Sequence, residues 1–175
     1  ICYLNLSPKS IFINTHSGRL HLVDFSLAIT ASDRLSGPAI AHYGQGHLAY
    51  MAPEQTGRIT DVPDFRSDLY SLGIIIYELL AGQHPFATKD PLELMHAHIA
   101  MPPTSPEDID SNITKELGQV VMKLLAKDPD QRYQTCDGLL SDLNFCLEQL
   151  RDGSKQGFHP GIDGHRSQFR FPDVL

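Results

Sequence analysis

The strongest pattern in the chain lies at its middle, where Leu69, Tyr70, Leu72, Ile74, Ile75, Ile76, Tyr77, Leu79 and Leu80 surround a helical axis almost completely. A surface helix keeps one polar face, so an all-round apolar helix over residues 67–81 belongs inside a core. Two one-sided helices follow. Leu117, Val120, Val121, Leu124 and Leu125 fall at i, i+3, i+4, i+7 and i+8, which predicts an amphipathic helix reaching Lys127. Leu139, Leu143, Cys146, Leu147 and Leu150 predict another, stopped at Gly153. Before these two, Asp90-Pro91-Leu92-Glu93 combines an Asp cap, a first-turn Pro and a Glu at the third position, and Pro102-Pro103 ends the helix it starts.

A period of two appears only near the N-terminus. Ile11-Phe12-Ile13-Asn14 alternates, Ser17-Gly18 supplies a turn, and residues 19–24 alternate again, so 10–24 read as a hairpin. From 25 to 49 no period is sustained, and Gly, Pro, Ser and His mark a long surface loop. Beyond Arg151 the text turns to Gly, His, Pro and charge, the composition of a linker. The class this predicts is α+β, mainly α with one small β-hairpin and no internal repeat.

Composition removes several functions. At 175 residues the chain is about one domain long. With 41% apolar and 20% charged residues it has an ordinary globular balance. A net charge of −7 argues against nucleic acid as a partner. The best apolar run, residues 72–81, falls far short of the ~18 residues a membrane span needs. Cys2, Cys136 and Cys146 form no CxxC pair, and an odd count favours a reducing, cytoplasmic setting. The chain opens on Ile1 with no initiator Met or leader, and reads as an internal piece of a longer polypeptide. His96 and His98 are two apart on a helix and face different sides, while His42 and His47 sit in the long loop with no Cys near. A shared zinc is not expected from either pair.

Four landmarks then occur in order: Val23-Asp24-Phe25-Ser26, Ala49-Tyr50-Met51-Ala52-Pro53-Glu54, Ser67-Asp68-Leu69-Tyr70-Ser71-Leu72-Gly73, and 124–133, which ends in Asp128-Pro129-Asp130-Gln131-Arg132-Tyr133. Together they resemble the Asp-Phe-Gly motif, the Ala-Pro-Glu motif, the central helix and the closing Arg motif of protein kinases. The resemblance covers residues 1–150, the C-terminal lobe from the catalytic loop onwards, and leaves 151–175 as a linker towards a following domain. No Gly-rich loop, and no candidate for the N-lobe Lys and Glu that grip ATP, occurs in the chain. The wording of 52–58, 65–70 and 90–100 is closest to the serine/threonine-kinase-like N-terminal domain of very large bacterial and fungal hybrid sensor histidine kinases. In that group an ATPase-like domain, a GAF domain and a histidine kinase follow, and these would be the partners within one polypeptide. The tail 164–175 is similar to the stretch leading into the ATPase-like domain.

Each landmark implies a role. Asp24 would hold Mg²⁺ against the nucleotide phosphates, Phe25 would plug the core beneath it, and Ser26 stands where the family has Gly. Glu54 and Arg132 would form a buried ion pair pinning the activation segment to the helical base. Asp68 would accept backbone N–H bonds from the catalytic loop, or act as a plain helix cap. Aligning on Pro8 puts Tyr3 at the usual His, Leu4 at the basic residue, Asn5 at the Asp base, Ser7 at the Lys or polar position and Ser10 at the second metal ligand. His47 takes the place that Thr often fills. An amide cannot accept a proton from a substrate hydroxyl, a role worth about 10²–10⁴ in rate. Ser7 brings no charge to the migrating phosphoryl group. Leu4 cannot pair with a loop phosphate, so phosphorylation at Ser32, Ser36 or Tyr43 should not order the loop.

The resemblance therefore implies a signalling module of serine/threonine type that is catalytically impaired and acts in regulation or interaction. It implies Mg-ATP held weakly, and not by the isolated fragment. An active ATP-dependent serine/threonine kinase domain and a structural spacer are the other readings.

Overall fold

The computed structural model describes residues 1–30, 48–59, 61–153 and 158–161. Ser32, Ser36, His42, Tyr43, His47 and the tail 164–175 lie outside the described residues. The small sheet pairs β1 (Ile11–Ile13) antiparallel with β2 (Leu20–Leu22), in the register Ile11↔Leu22, Phe12↔His21 and Ile13↔Leu20. Its turn is local chemistry. Asn14 Oδ1 accepts the His16 and Ser17 amides at 3.0 and 3.1 Å, and Gly18 takes a φ of 68° that a side chain would strain.

The long central helix α1 spans Phe65–Ala81. It starts two residues before the pattern suggested, because Asp64 and not Asp68 is its cap. Asp64 Oδ1 accepts the Arg66 amide at 2.8 Å, and Ser67 Oγ accepts the Asp64 amide at 3.2 Å. At the other end Gly82 adopts the left-handed conformation that closes the helix. Tyr70, Ile74 and Tyr77 bury with Ala52, Phe86, Ala97, Val121 and Leu125, while Leu69 buries with Val120, Leu124, Tyr133 and Leu139. The helix thus separates two apolar clusters and feeds both, which is why it is apolar nearly all round. Leu79 is the exception, 79% exposed. Gly73 lets α1 come close: a Cβ there would sit 2.7 Å from Leu124 Cβ.

Helix α2 (Pro91–Ala100) begins where Asp90 Oδ1 accepts the Leu92 and Glu93 amides at 2.8 and 3.0 Å. A single turn, α3 (Pro106–Ile109), leads to α4 (Lys115–Leu124), and α5 (Cys136–Asp152) closes at Gly153. Helix α4 stops short of Lys127. Within the stretch read as a linker, Phe158 is buried and stacks on Phe145 with centroids 5.1 Å apart, and the Gly161 amide donates to Asp142 Oδ2 at 2.6 Å. Residues 158–161 therefore pack on α5. Among the described residues no helix is long and apolar enough to cross a membrane.

Candidate active-site cleft

The loop before β1 is fastened to α1 by its backbone. The Tyr3 and Leu4 amides donate to Asp68 Oδ2 and Oδ1 at 2.8 and 2.7 Å. Burial raises the Asp68 carboxyl above its ordinary range, against the pull of those two bonds. Freed from capping by Asp64, Asp68 acts across the fold. From the other side Gln55 Nε2 donates to the Leu4 carbonyl at 3.0 Å while Gln55 Oε1 accepts the Ala52 amide at 3.0 Å. Among the described residues Leu4 and Asp24 are the two non-glycine residues at positive φ, 59° and 62°. Such backbone costs about 1–2 kcal/mol per residue and persists where surrounding contacts over-determine it.

Between these strained residues lie the positions that matter chemically. Asn5 is buried, and its Nδ2 donates to Asp24 Oδ2 at 3.0 Å. Ser26 Oγ donates to Asp24 Oδ1 at 2.6 Å. Both donors come from residues that differ from the family pattern; an Asp at 5 or a Gly at 26 could supply neither bond. Ser10 is also buried, its hydroxyl lying 3.2 Å from the Asn5 carbonyl and 2.9 Å from the Ser7 carbonyl and accepting the Ser7 amide at 3.1 Å. It ties the loop to itself. Ser7 is buried too. Asn5 Oδ1 has no hydrogen-bond partner, and Asn5 lines a void of about 10 Å³ with Gln55 and Ser71. Phe25 does not plug a core in the described residues. It is 55% exposed and meets Tyr3 edge-on at 5.0 Å, while the Tyr3 hydroxyl donates to the Val23 carbonyl.

Each Asp24 oxygen already accepts a hydrogen bond from a neighbouring side chain, and the Ser10 hydroxyl is engaged with backbone. Among the described residues no cluster of three His, Cys, Asp or Glu side chains could hold a metal ion.

Beneath the cleft, Glu54 and Arg132 meet as a buried fork. Arg132 Nη1 and Nη2 donate to Glu54 Oε1 and Oε2 at 2.7 and 2.8 Å, and Ser67 Oγ adds a third bond at 2.7 Å. The other three Arg132 donors reach the carbonyls of Ala126, Arg66 and Lys127 at 2.8, 2.9 and 3.0 Å. All five guanidinium N–H groups are thus used, and Tyr70 stacks on the ion at 4.9 Å. Burial alone would raise Glu54; Arg132 and Ser67 outweigh it and hold the carboxyl below its usual range.

A further support was not legible as chemistry. Residues 48–50 are held by Ser71 Oγ on the Tyr50 carbonyl at 2.7 Å, by His84 Nε2 on the Ala49 carbonyl at 2.7 Å, and by the Tyr50 hydroxyl on Glu78 at 2.7 Å. Behind them His98 is fully buried, 3.1 Å from the Tyr70 hydroxyl, and its pKa is pushed down to about 3 by burial and by His84 and Lys127. The spacing Leu94, Ala97, His98 placed that ring on the apolar face of α2; His96, two residues earlier, is exposed. A separate groove of about 690 Å³ is lined by Phe86, Leu92, His96 and Met101 and includes none of the sequence-predicted site residues.

Comparison with known proteins agrees with this frame. Residues 1–143 match the model of the protein kinase domain. A hybrid signal transduction histidine kinase of Dictyostelium discoideum is 42% identical over 66% of this chain and 3% of its own length. A probable serine/threonine-protein kinase of Streptomyces coelicolor is 34% identical over 85% of the chain and 22% of its own length. The serine/threonine-protein kinase PknB of Mycolicibacterium smegmatis is 34% identical over 82% of the chain and 22% of its own length. The chain thus spans between 3% and 22% of the length of these relatives.

Proposed function

Because this chain belongs to the protein kinase family, we propose that it is the C-terminal lobe of a catalytically impaired, serine/threonine-type module that regulates or docks rather than phosphorylates. The observation that carries this reading is the pair of bonds on Asp24. The two replaced side chains, Asn5 and Ser26, are its hydrogen-bond donors, so an internal amide and hydroxyl occupy the acid that the family presents to a metal. Asn5 cannot take a substrate proton, and Ser7 brings no charge to a phosphoryl group. Mg-ATP binding is weak in this module, since a metal at Asp24 would share each carboxylate oxygen with a hydrogen-bond donor. The module belongs to a cytoplasmic multidomain sensor, and its partners are the ATPase-like, GAF and histidine-kinase domains of the same polypeptide; the Dictyostelium relative supports that setting.

The serine/threonine kinases among its relatives favour a second reading, an active ATP-dependent kinase domain. The two part at Asn5. In the polypeptide that carries this chain, with any histidine-kinase portion deleted, transfer of labelled phosphate from ATP to a generic protein substrate should run about 10²–10⁴ slower than base-assisted transfer. Asn5→Asp should raise it. Robust transfer that Asp24→Ala abolishes and Asn5→Asp leaves unchanged would replace the first reading with the second.

A further inference from the structure

Helix α5 carries leucines beside its buried face that the described residues leave partly uncovered. Its inner face, with Leu139 and Cys146, is buried. Beside it run Leu140, Leu143, Leu147 and Leu150, at steps of three, four and three. Leu140 and Leu147 are each 45% exposed and Leu150 is 57% exposed, while Leu143 is half-buried, packs against the inner cluster and joins the two. Their spacing of three and four residues widens the apolar face of α5 beyond what the inner cluster covers and gives the exposed part the period of a helix-pair seam. From Leu140 to Leu150 this stripe runs for ~15 Å along the helix.

The edge of the stripe says which helix it fits. Asp137, Asn144 and Arg151 stand seven residues apart along it, the two charged ones exposed and Asn144 half-buried. Read in one direction the edge is acid, amide, base; in the other it is base, amide, acid. Laid antiparallel on its own copy, it sets Asp137 against Arg151 at both ends and Asn144 against Asn144 in the middle. The leucines then meet in layers, Leu140 on Leu150 and Leu143 on Leu147, and the helix dipoles oppose. A parallel pair would instead set this edge against the opposite flank of the stripe, which on α5 is the buried inner face with Leu139 and Cys146. A two-fold axis requires that a surface be its own complement, and this edge is.

We propose that α5 pairs antiparallel with α5 of a second copy of this chain, about a two-fold axis beside Asn144. The pair buries the leucine stripe and is independent of whether the cleft transfers phosphate.

Sedimentation equilibrium of the 175-residue chain, from micromolar to sub-millimolar concentration, should show the 19.5 kDa mass doubling reversibly. Leu147→Asp, on an exposed position that leaves the inner face intact, should hold it monomeric with an unchanged far-ultraviolet spectrum. Asp137→Arg and Arg151→Asp should each weaken the dimer about tenfold, and the two together should restore it to within about threefold. In a Cys136→Ser background, Asp137→Cys with Arg151→Cys should oxidise to a covalent dimer. A chain that stays monomeric throughout, as it would if another segment of the polypeptide covered the stripe, overturns the proposal. So does a dimer indifferent to Leu147→Asp. A Cys136–Cys136 disulfide in the unaltered dimer also overturns it, because the antiparallel pair holds those residues at opposite ends of the seam, far beyond bridging distance.

Discussion

The Glu54–Arg132 fork and the Asn5–Asp24–Ser26 cleft are both built from a few polar side chains, yet they are solved in opposite ways. In the fork every donor of Arg132 is used, both charges are buried, and an aromatic ring lies over the guanidinium. In the cleft one charge, Asp24, stands exposed at the end of a strained backbone and is met by neutral groups. The difference separates two tasks that a kinase fold usually performs together. Holding the activation segment on the helical base needs a fixed, dehydrated ion pair. Phosphoryl transfer needs charges available to substrate, and the impaired-module reading proposed above takes Asn5 and Ser7 as neutral side chains at the positions that would supply them.

The sharpest way to break this comparison is to remove one charged partner from the fork. Arg132→Met should cost about 3–5 kcal/mol, because Glu54 stays buried without a counter-ion and the carbonyls of Ala126, Arg66 and Lys127 lose their donors. The check is the shift in urea midpoint at neutral pH with the slope unchanged. A loss below about 1 kcal/mol, the range of exposed ion pairs, would mean that the fork does not pin the segment and that the contrast with the cleft is only one of burial.

How much of each region could be read from the chain follows from sequence distance. The helices were legible because their signals are local: nine apolar residues around one axis, or Asp90 two and three residues from the amides it accepts. The start of α1 was misplaced because Asp64 and Asp68 are both plausible caps, and only the fold shows Asp68 turned towards Tyr3 and Leu4, 65 and 64 residues away. The apolar face of α5 was visible as a period through Leu139, Leu143, Cys146, Leu147 and Leu150, but a period says which side is apolar and not how much of it the same molecule covers. Phe158 sits among Gly, His and Pro with no period at all, so its place on Phe145 left no trace. In the cleft the residue types were legible from the resemblance, and their mutual bonds were not. Asn5 and Asp24 are 19 residues apart, and nothing in either neighbourhood announces that one donates to the other.

A smaller effect sharpens the fork's side of the contrast through pH. Buried His98 stays neutral in the fold with its pKa near 3, whereas in the unfolded chain it titrates near 6.5. As the pH falls below about 6.5 the unfolded state takes up a proton that the folded state refuses, so stability declines from there towards pH 3. Between pH 7 and pH 5 the loss from this one ring is about 2 kcal/mol. His84 and Lys127 add positive charge that works in the same direction and outweighs the opposing pull of the Leu48 and Ala49 backbone, while Tyr70 offers only a hydroxyl. His98→Gln, which keeps a hydrogen-bonding group near Tyr70, should flatten the dependence of the urea midpoint over that interval. An unaltered slope would take His98 out of the support for residues 48–50.

The smallest expected effect is at the cleft itself, and it decides whether the two regions differ in kind. Asp24→Asn removes the one carboxylate of the site but keeps an amide that can accept from Ser26. Asn5 can turn its own amide so that its unpaired Oδ1 receives the new Nδ2, and the hydrogen bond across the cleft survives with donor and acceptor exchanged. Because Asp24 is exposed, no buried charge is stranded, and the change in unfolding free energy should stay below about 1 kcal/mol. The measurement is the same urea titration used for Arg132→Met. Asn5→Asp is the informative opposite: it sets a second carboxylate where an amide now lies 3.0 Å from Asp24 Oδ2. That variant should be less stable at neutral pH and recover as the pH is lowered and one of the two acids takes a proton, because like charges that close cannot both ionise cheaply. If Asp24→Asn cost as much as Arg132→Met, the carboxylate would be a structural ion like Glu54. The neutral partners around it would then be scaffolding, and not the substitutes for a metal that the impaired-module reading takes them to be.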